Sequence, residues 1–303
     1  MCIRDRARYP AALTDYRNAV TLYERRGERD EAAKSRIGLI DALMYLGRYE
    51  QARGEAEKAR AHFEAVGDHA RRARVETNLG NLYHRRDQHE EALAWYDRAR
   101  AEFARQADSG AQALVDYNRG NALGMLGRTD EARAAFLAAR GVYAAERLPA
   151  RVVQVDYGLA YLPYLENRLP EALEALAAVR VRLLEQGDRR HGSLCRLDEA
   201  EILLRLNLWD DAALAAADAL EGFEALGMNY EAAKARTFLG AASYRRGDLA
   251  LAARELKAAR RRFLAEPNEI WGGETELGLA RLSLERGQWG HASLWAHQAR
   301  RRL

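Results

Sequence analysis

Residues 78–99 read NLGNLYHRRDQHEEALAWYDRA, the clearest copy of a pattern that recurs along the chain. Its apolar residues recur at helical spacing on both sides of a polar interruption, as Leu79, Leu82 and Tyr83 and then Leu93, Tyr96 and Ala99. Asp87, inside the interruption, is of a type that tolerates the left-handed backbone conformation at the end of a helix. The stretch therefore predicts two helices joined by a tight turn.

Two columns of small residues extend this pattern along the chain with a period of 40 residues. The first column holds Ala12, Ala52, Ala92, Ala132, Ala172, Ala212, Ala252 and Ala292. Seven residues later stand Ala19, Ala59, Ala99, Ala139, Val179, Ala219, Ala259 and Ala299. Small side chains let helix backbones approach closely, so the columns predict where the helices of each pair cross.

Turn residues repeat with the same period. Residue types that accept a left-handed conformation occupy one turn, as Gly47, Asp87, Gly127, Asn167, Asn207, Gly247 and Gly287. Two residues later a large apolar side chain is expected to plug this turn in most copies, as Tyr9, Tyr49, Leu169, Trp209, Leu249 and Trp289, with His89 and Thr129 as exceptions. The second turn is marked by Gly27, Gly67, Gly187, Gly227 and Pro267.

These residues resemble the tetratricopeptide repeat, whose pattern is L-G-x-x-Y in the first helix and A-x-x-x-F/Y-x-x-A in the second. Leu79, Gly80 and Tyr83 match the first part, and Ala92, Tyr96 and Ala99 match the second. The resemblance implies an all-α fold, a right-handed α-solenoid of antiparallel helix pairs with about 15 helices. The unit is longer than the family's usual one by roughly one turn per helix. Repeats of this length are similar to those of bacterial proteins fused to CHAT-type cysteine peptidases and to the sensor arms of large bacterial transcription activators.

The period also predicts the boundaries of the array. We expect a single array over residues 8–303, with a half unit at 8–29 and full units from about residues 30, 70, 110, 150, 190, 230 and 270. The opening MCIRDR matches the translation of a transposase adapter used in library preparation, so residues 1–7 are expected to be non-native. Together with the half unit, this predicts that the chain is a fragment of a longer bacterial protein whose true N-terminus is missing.

Composition excludes several classes of protein. The chain is 48% hydrophobic and 31% charged with a net charge of +3, and its basic residues are spread along it, so no nucleic-acid footprint stands out. No stretch is apolar enough for a membrane span. Only Cys2 and Cys195 are present, which excludes a disulfide framework and favours a reducing compartment. We therefore expect a cytoplasmic protein with no membrane or direct nucleic-acid partner.

No residue pattern predicts catalysis. The seven histidines form no H-E-x-x-H motif and no Cys/His pairing of zinc-site spacing, and no phosphate-binding G-x-x-x-x-G-K-[ST] loop occurs. His191 and Cys195 share a helix face, but position 195 belongs to a column of small and apolar residues, which favours packing. We expect no catalytic residue, no metal site and no cofactor, and hence no enzyme activity in this chain.

Candidate binding residues lie where the family's first helix faces its groove. They are Arg74, Asn78, Asn81, His84, Arg85, Tyr117, Asn118, Asn121, Tyr157, Tyr161 and Tyr164. An asparagine amide can pair with both polar groups of a peptide backbone, but it can equally bond neighbouring helices or water. The tyrosines either face the groove or pack in the core. The family's carboxylate clamp is not expected, because Thr77 and Tyr117 occupy two of its basic slots. Pro163 is expected to bend its helix.

The sequence thus predicts a non-enzymatic scaffold that binds a peptide or partner protein along the groove. Two alternatives remain, the regulatory arm of a larger CHAT-type peptidase and the sensor arm of a transcription activator. Self-association through an exposed terminal unit is also expected, with Trp271, Trp289 and Trp295 as candidate contacts.

Overall fold

The computed structural model describes residues 9–265 and 268–303, and these residues form 15 α-helices and no strand. Residues 9–168 form one compact unit and the described residues from Leu169 onward form a second, here called the N-terminal and C-terminal units. The predicted all-α class and antiparallel helix pairing are confirmed. The predictions for residues 1–7 and Pro267 lie outside the described residues.

The helices alternate between two roles. The A helices are α2 (Arg29–Tyr45), α4 (His69–His84), α6 (Ser109–Met125), α8 (Pro149–Leu165), α10 (Arg189–Arg205), α12 (Asn229–Arg245) and α14 (Glu269–Glu285). The B helices are α1 (Tyr9–Arg25), α3 (Tyr49–Ala65), α5 (His89–Arg105), α7 (Thr129–Ala145), α9 (Leu169–Glu185), α11 (Trp209–Ala225), α13 (Leu249–Ala265) and α15 (Trp289–Arg302). Equivalent helices begin 40 residues apart throughout, in agreement with the period of the sequence. α8 runs through Pro163, which lies in its last turn.

Every turn that lies wholly within residues 9–265 and 268–303 contains a left-handed residue near its centre. The predicted residues adopt this conformation, including Asp87 at φ 60° and Asn167 at φ 61°. Ala107 and Arg147 also adopt it, at φ 54° and 55°, although the left-handed conformation costs residues with a Cβ on the order of 1 kcal/mol of free energy. The sequence pattern missed these two because alanine and arginine carry no turn signal.

The two small-residue columns are buried where the helices cross. Ala52, Ala92 and Ala132 have no exposed surface, and Ala59 and Ala99 are equally buried in the second column. These alanines confirm the predicted crossing points. Since a methyl group is the largest side chain found at most of these positions, the two helices of a pair are held close together.

A helices and B helices differ in their neighbours. Within the N-terminal unit, each A helix contacts the next A helix, as α2 contacts α4, α4 contacts α6 and α6 contacts α8. Among the described helices of this unit, the backbones of consecutive B helices do not approach one another, although the side chain of Arg17 on α1 donates a hydrogen bond to Gln51 on α3 at 2.7 Å. The A helices therefore form a continuous face, whereas gaps separate the B helices.

The plug positions of the first turn are filled unevenly. Tyr49 and His89 are buried, at 6% and 9% exposure. Trp289 is 71% exposed, so the prediction that it plugs its turn is wrong. In the C-terminal unit the equivalent Trp209 lies beneath the guanidinium of Arg245 from the following A helix, 5.1 Å from the ring centre. The described residues contain no helix after α15 that covers Trp289 in this way.

Burial of His89 predicts a pH dependence of stability. Desolvation lowers the pKa of His89 below its ordinary 6.5, although Asp87 and Glu90 act in the opposite direction. The unfolded chain then binds a proton more readily than the folded chain as the pH falls below 6.5, so stability should fall with decreasing pH, by at most about 1.4 kcal/mol per pH unit.

Replacing His89 with leucine, the residue at the equivalent positions 169 and 249, should remove this slope. Urea unfolding of the wild type and of His89→Leu between pH 7 and 5.5 measures it. His297→Leu, at an exposed position of α15, is the control and should keep the wild-type slope. Parallel pH profiles for wild type and His89→Leu would contradict the prediction.

Candidate functional site

The eleven candidate residues all lie on the A-helix face of the N-terminal unit. α4 carries Arg74, Asn78, Asn81 and His84 and ends at its C-cap Arg85; α6 carries Tyr117, Asn118 and Asn121; α8 carries Tyr157, Tyr161 and Tyr164. Because these helices contact one another in sequence order, the candidates occupy three adjacent helices of one face.

Asn78 links two adjacent A helices. It is only 9% exposed, and its Nδ2 donates to the backbone oxygen of Ile37 on the preceding A helix at 3.4 Å. This contact agrees with the interpretation of Asn78 as a bond between neighbouring helices.

The side-chain oxygen of Asn81 is engaged in hydrogen bonds within the fold. Its Oδ1 accepts from the hydroxyl of Tyr96 at 2.8 Å and from the Nδ2 of Asn118 at 3.0 Å. Burial raises the pKa of Tyr96, so this hydroxyl remains a donor. The Nδ2 of Asn81 and the Oδ1 of Asn118 make no hydrogen bond with described residues, so each amide keeps one open group.

Asn121 is the most available of the asparagines. It is half-buried on α6, and its amide makes no hydrogen bond within residues 9–265 and 268–303. Four residues later on the same helix, the side chain of Met125 is 48% exposed. Asn121 thus offers a donor and an acceptor beside an apolar side chain. Sequence reasoning missed Met125, although its spacing from Asn121 placed it on the same helix face.

The tyrosines divide between packing and partial exposure. Tyr164 is 9% exposed and contacts Tyr161, with ring centres 5.1 Å apart. Tyr117 lies against the buried ring of Phe136 at 5.8 Å. Tyr157 and Tyr161 are half-buried. Tyr164 therefore belongs to the core, and the exposure of Tyr157 and Tyr161 to a ligand stays a prediction.

The basic residues of α4 do not form one patch. Arg74 is exposed and makes no ion pair with described residues. The guanidinium of Arg85 lies over the ring of Tyr45 at 5.1 Å, and His84 Nδ1 lies 3.2 Å from Nδ1 of His89 at the turn. Arg74 alone is therefore placed to meet an acidic group on the A-helix face.

The remaining chemical candidates do not form a reactive site. Cys195 is fully buried, and this burial raises the pKa of its thiol. His191 is held by Asp188, whose Oδ2 lies 2.8 Å from its Nδ1. Among the described residues, no three His, Cys, Asp or Glu side chains are grouped to hold a metal ion. None of the described helices has both the length and the apolar character that crossing a membrane requires.

Comparison with known proteins supports the repeat assignment. A family model described as tetratricopeptide repeat matches residues 31–105, which begin in α2 and end with α5. No curated protein matches the chain.

Several solved structures are similar to the chain over most of its length. A Rap protein complexed with competence and sporulation factor aligns with a TM-score of 0.70 and 11% identity, covering 96% of this chain and 84% of that chain. NprR in complex with its cognate peptide NprX aligns with a TM-score of 0.67 and 10% identity, covering 98% and 89%. Yeast Tom70 aligns with a TM-score of 0.56 and 17% identity, covering 95% and 55%.

At these identities the likeness shows the fold, and the family model matches residues 31–105. The described helices outside residues 31–105 keep the same 40-residue spacing and left-handed turn residues as those within them. Residues 31–105 therefore match the tetratricopeptide repeat family, and the same helix pair is repeated through the rest of the described residues.

Proposed function

We propose that the chain is a non-enzymatic scaffold that binds an extended peptide segment of a partner along the A-helix face of α4, α6 and α8. The observation that carries this proposal is the open amide of Asn121, which lies beside the exposed Met125. Rap and NprR, which share the fold, were each solved with a bound factor or peptide, which supports a ligand of this class.

The amides favour contact with a peptide backbone. Asn121 offers both a donor and an acceptor, and Asn81 and Asn118 each keep one open group. A row of this kind recognises main-chain N–H and C=O groups and so sets no strict requirement on the peptide sequence. Met125, Tyr157 and Tyr161 add apolar surface for one or two side chains of the peptide.

Asn121→Ala tests the proposal with little risk to the fold, because no described residue depends on its amide. Asn81→Ala is a poorer choice, since it would leave the buried Tyr96 hydroxyl without its acceptor. The control is Gln112→Ala on the same helix. Gln112 is also half-buried, and its side-chain amide makes no hydrogen bond with described residues, but it lies one turn before Asp116, on the side of the B helices.

Peptides selected on the wild-type chain from a random display library supply the probes. Their affinities are then measured by fluorescence polarisation. Asn121→Ala should weaken binding about tenfold or more, consistent with the loss of hydrogen bonds to a backbone amide, and Gln112→Ala should change it less than twofold. If no peptide is selected, or if the selected peptides bind both variants as they bind the wild type, the proposal fails.

A further inference from the structure

A basic recess of about 370 Å³ lies between the B helices α3 and α5, above α4. Its lining consists of Arg60 from α3, Arg72 and Glu76 from α4, and Arg98, Ala101 and Arg105 from α5. It occupies one of the gaps that separate consecutive B helices, and it lies away from the face that carries Asn81 and Asn121.

In the other repeats of the N-terminal unit, the A-helix residue at the position of Glu76 forms an ion pair with a neighbouring B helix. The gap between α1 and α3 nevertheless also holds a recess, of about 420 Å³. The equivalent A-helix positions hold Arg36, Glu76, Asp116 and Asp156. Asp116 is bound by Arg100 at 2.6 Å and Asp156 by Arg140 at 2.7 Å, each from the preceding B helix. Arg36 is bound by Glu55 of the following B helix at 2.8 Å.

Glu76 is the exception to this pattern. Arg60 occupies the position equivalent to Arg100 and Arg140, yet it makes no ion pair with Glu76 or with any other carboxylate of the described residues. The nearest contact recorded for Glu76 is Arg72, whose Nε lies 3.8 Å from its carboxylate. The recess between α3 and α5 therefore differs from the recess between α1 and α3, where Arg36 is ion-paired with Glu55.

Two of the four arginines in the lining are neutralised by carboxylates. Arg72 lies 2.7 Å from Glu64 and 3.3 Å from Glu102, and Arg105 lies 2.5 Å from Glu102. The other two lining arginines make no ion pair with described residues.

Arg60 and Arg98 are those two arginines, and they approach the recess from facing helices. The guanidinium of Arg98 lies over the ring of Trp95 at 4.8 Å, a contact that orients it without cancelling its charge. Neither arginine has a carboxylate within ion-pair distance among the described residues.

Glu76 is the one carboxylate among the lining residues of the recess. Its side chain is 5% exposed, and burial raises the pKa of its carboxyl although Arg72, Arg60 and Arg98 lower it. The carboxyl therefore keeps its proton to a higher pH than usual.

We propose that the recess binds a phosphoryl group, held between the guanidiniums of Arg60 and Arg98. Guanidinium forks match the oxygens of phosphate and can bind them in a bidentate manner. The volume exceeds that of one phosphate, which leaves space for the molecule that carries it. The phosphoryl group has two chemical sources, a free phosphate compound and a phosphorylated side chain of a partner protein.

Isothermal titration calorimetry of the full chain tests the proposal at low salt, with inorganic pyrophosphate and with a phosphoserine peptide and its unphosphorylated form. Arg60→Ala and Arg98→Ala should each weaken binding of the phosphorylated probe about tenfold or more. Glu76→Gln, which removes the only carboxylate of the lining, should strengthen it several-fold. Arg100→Ala, the equivalent of Arg60 in a closed pair, is the control and should change it less than twofold. Circular dichroism verifies that each variant is folded.

Comparable or tighter binding of pyrophosphate supports a free phosphate compound as the source, and binding at least tenfold tighter to the phosphopeptide supports a partner's side chain. The proposal is overturned if neither phosphorylated probe binds. It is also overturned if Arg60→Ala and Arg98→Ala bind as the wild type does, or if the unphosphorylated peptide binds as tightly as the phosphorylated one.

Discussion

Phe136→Ala should lower the free energy of unfolding by about 3–5 kcal/mol, the usual cost of removing a fully buried aromatic ring. Phe136 is 2% exposed, and its ring fills the space above two glycines on different helices. A Cβ built on Gly120 of α6 would lie 2.6 Å from the ring, and one built on Gly158 of α8 would lie 2.7 Å from it. Loss of the ring therefore leaves a cavity where three consecutive helices meet.

The adjacent residue supplies a matched control. Leu137 lies on the same helix with 52% of its surface exposed, so Leu137→Ala should cost less than about 1 kcal/mol. Urea unfolding followed by far-UV circular dichroism compares the two variants with the wild type. A Phe136→Ala protein within 1 kcal/mol of the wild type would show that the helices close the cavity by moving together.

Gly80→Ala should destabilise the chain by about 1–3 kcal/mol, in spite of the higher helix propensity of alanine. A Cβ at this position would lie 2.4 Å from Cε1 of Tyr96. This ring is 1% exposed, and its hydroxyl is bound to Asn81, so it has little freedom to move. The L-G pair of the family pattern is thus explained by the ring that faces it.

Gly54→Ala is the control for helix propensity. Gly54 lies in α3 with no atom within 4 Å of a built Cβ, so alanine there should stabilise the chain by about 0.5–1 kcal/mol.

The double variant Gly80→Ala with Tyr96→Leu tests whether the ring causes the destabilisation. It should lose less stability than the sum of the losses in the two single variants. Additive losses, measured by the same urea unfolding, would show that the overlap with the ring is not the cause.

Much of the fold was predictable because equivalent positions in each repeat have the same steric requirements. The buried alanine columns and left-handed residues such as Asp87 and Asn167 are visible in the sequence, since only small residues or special turn residues suit those positions. Ala107 and Arg147 were not, because the spacing of the helices on either side imposes their conformation.

The candidate site was less predictable, because its chemistry depends on residues distant in sequence. Asn78 and Asn121 are the same residue type on the same helix face. The side-chain amide of Asn78 donates to the backbone oxygen of Ile37, whereas the side-chain amide of Asn121 makes no hydrogen bond with described residues. Likewise, Glu76 and Asp116 occupy equivalent positions with an arginine at the same distance before each. Only the geometry shows that the pair at Glu76 is open.

The constant spacing of the helices makes the number of repeats an adjustable quantity. Asp68 and Asp108 each accept a hydrogen bond from the backbone of the third residue after them, at the start of α4 and α6. Excising residues 69–108 would join Asp68 directly to Ser109 and leave Asp68 in the place of Asp108, at the start of α6. The register of every later helix would be preserved, so gene duplication or deletion of a whole unit could lengthen or shorten the molecule without remaking a turn.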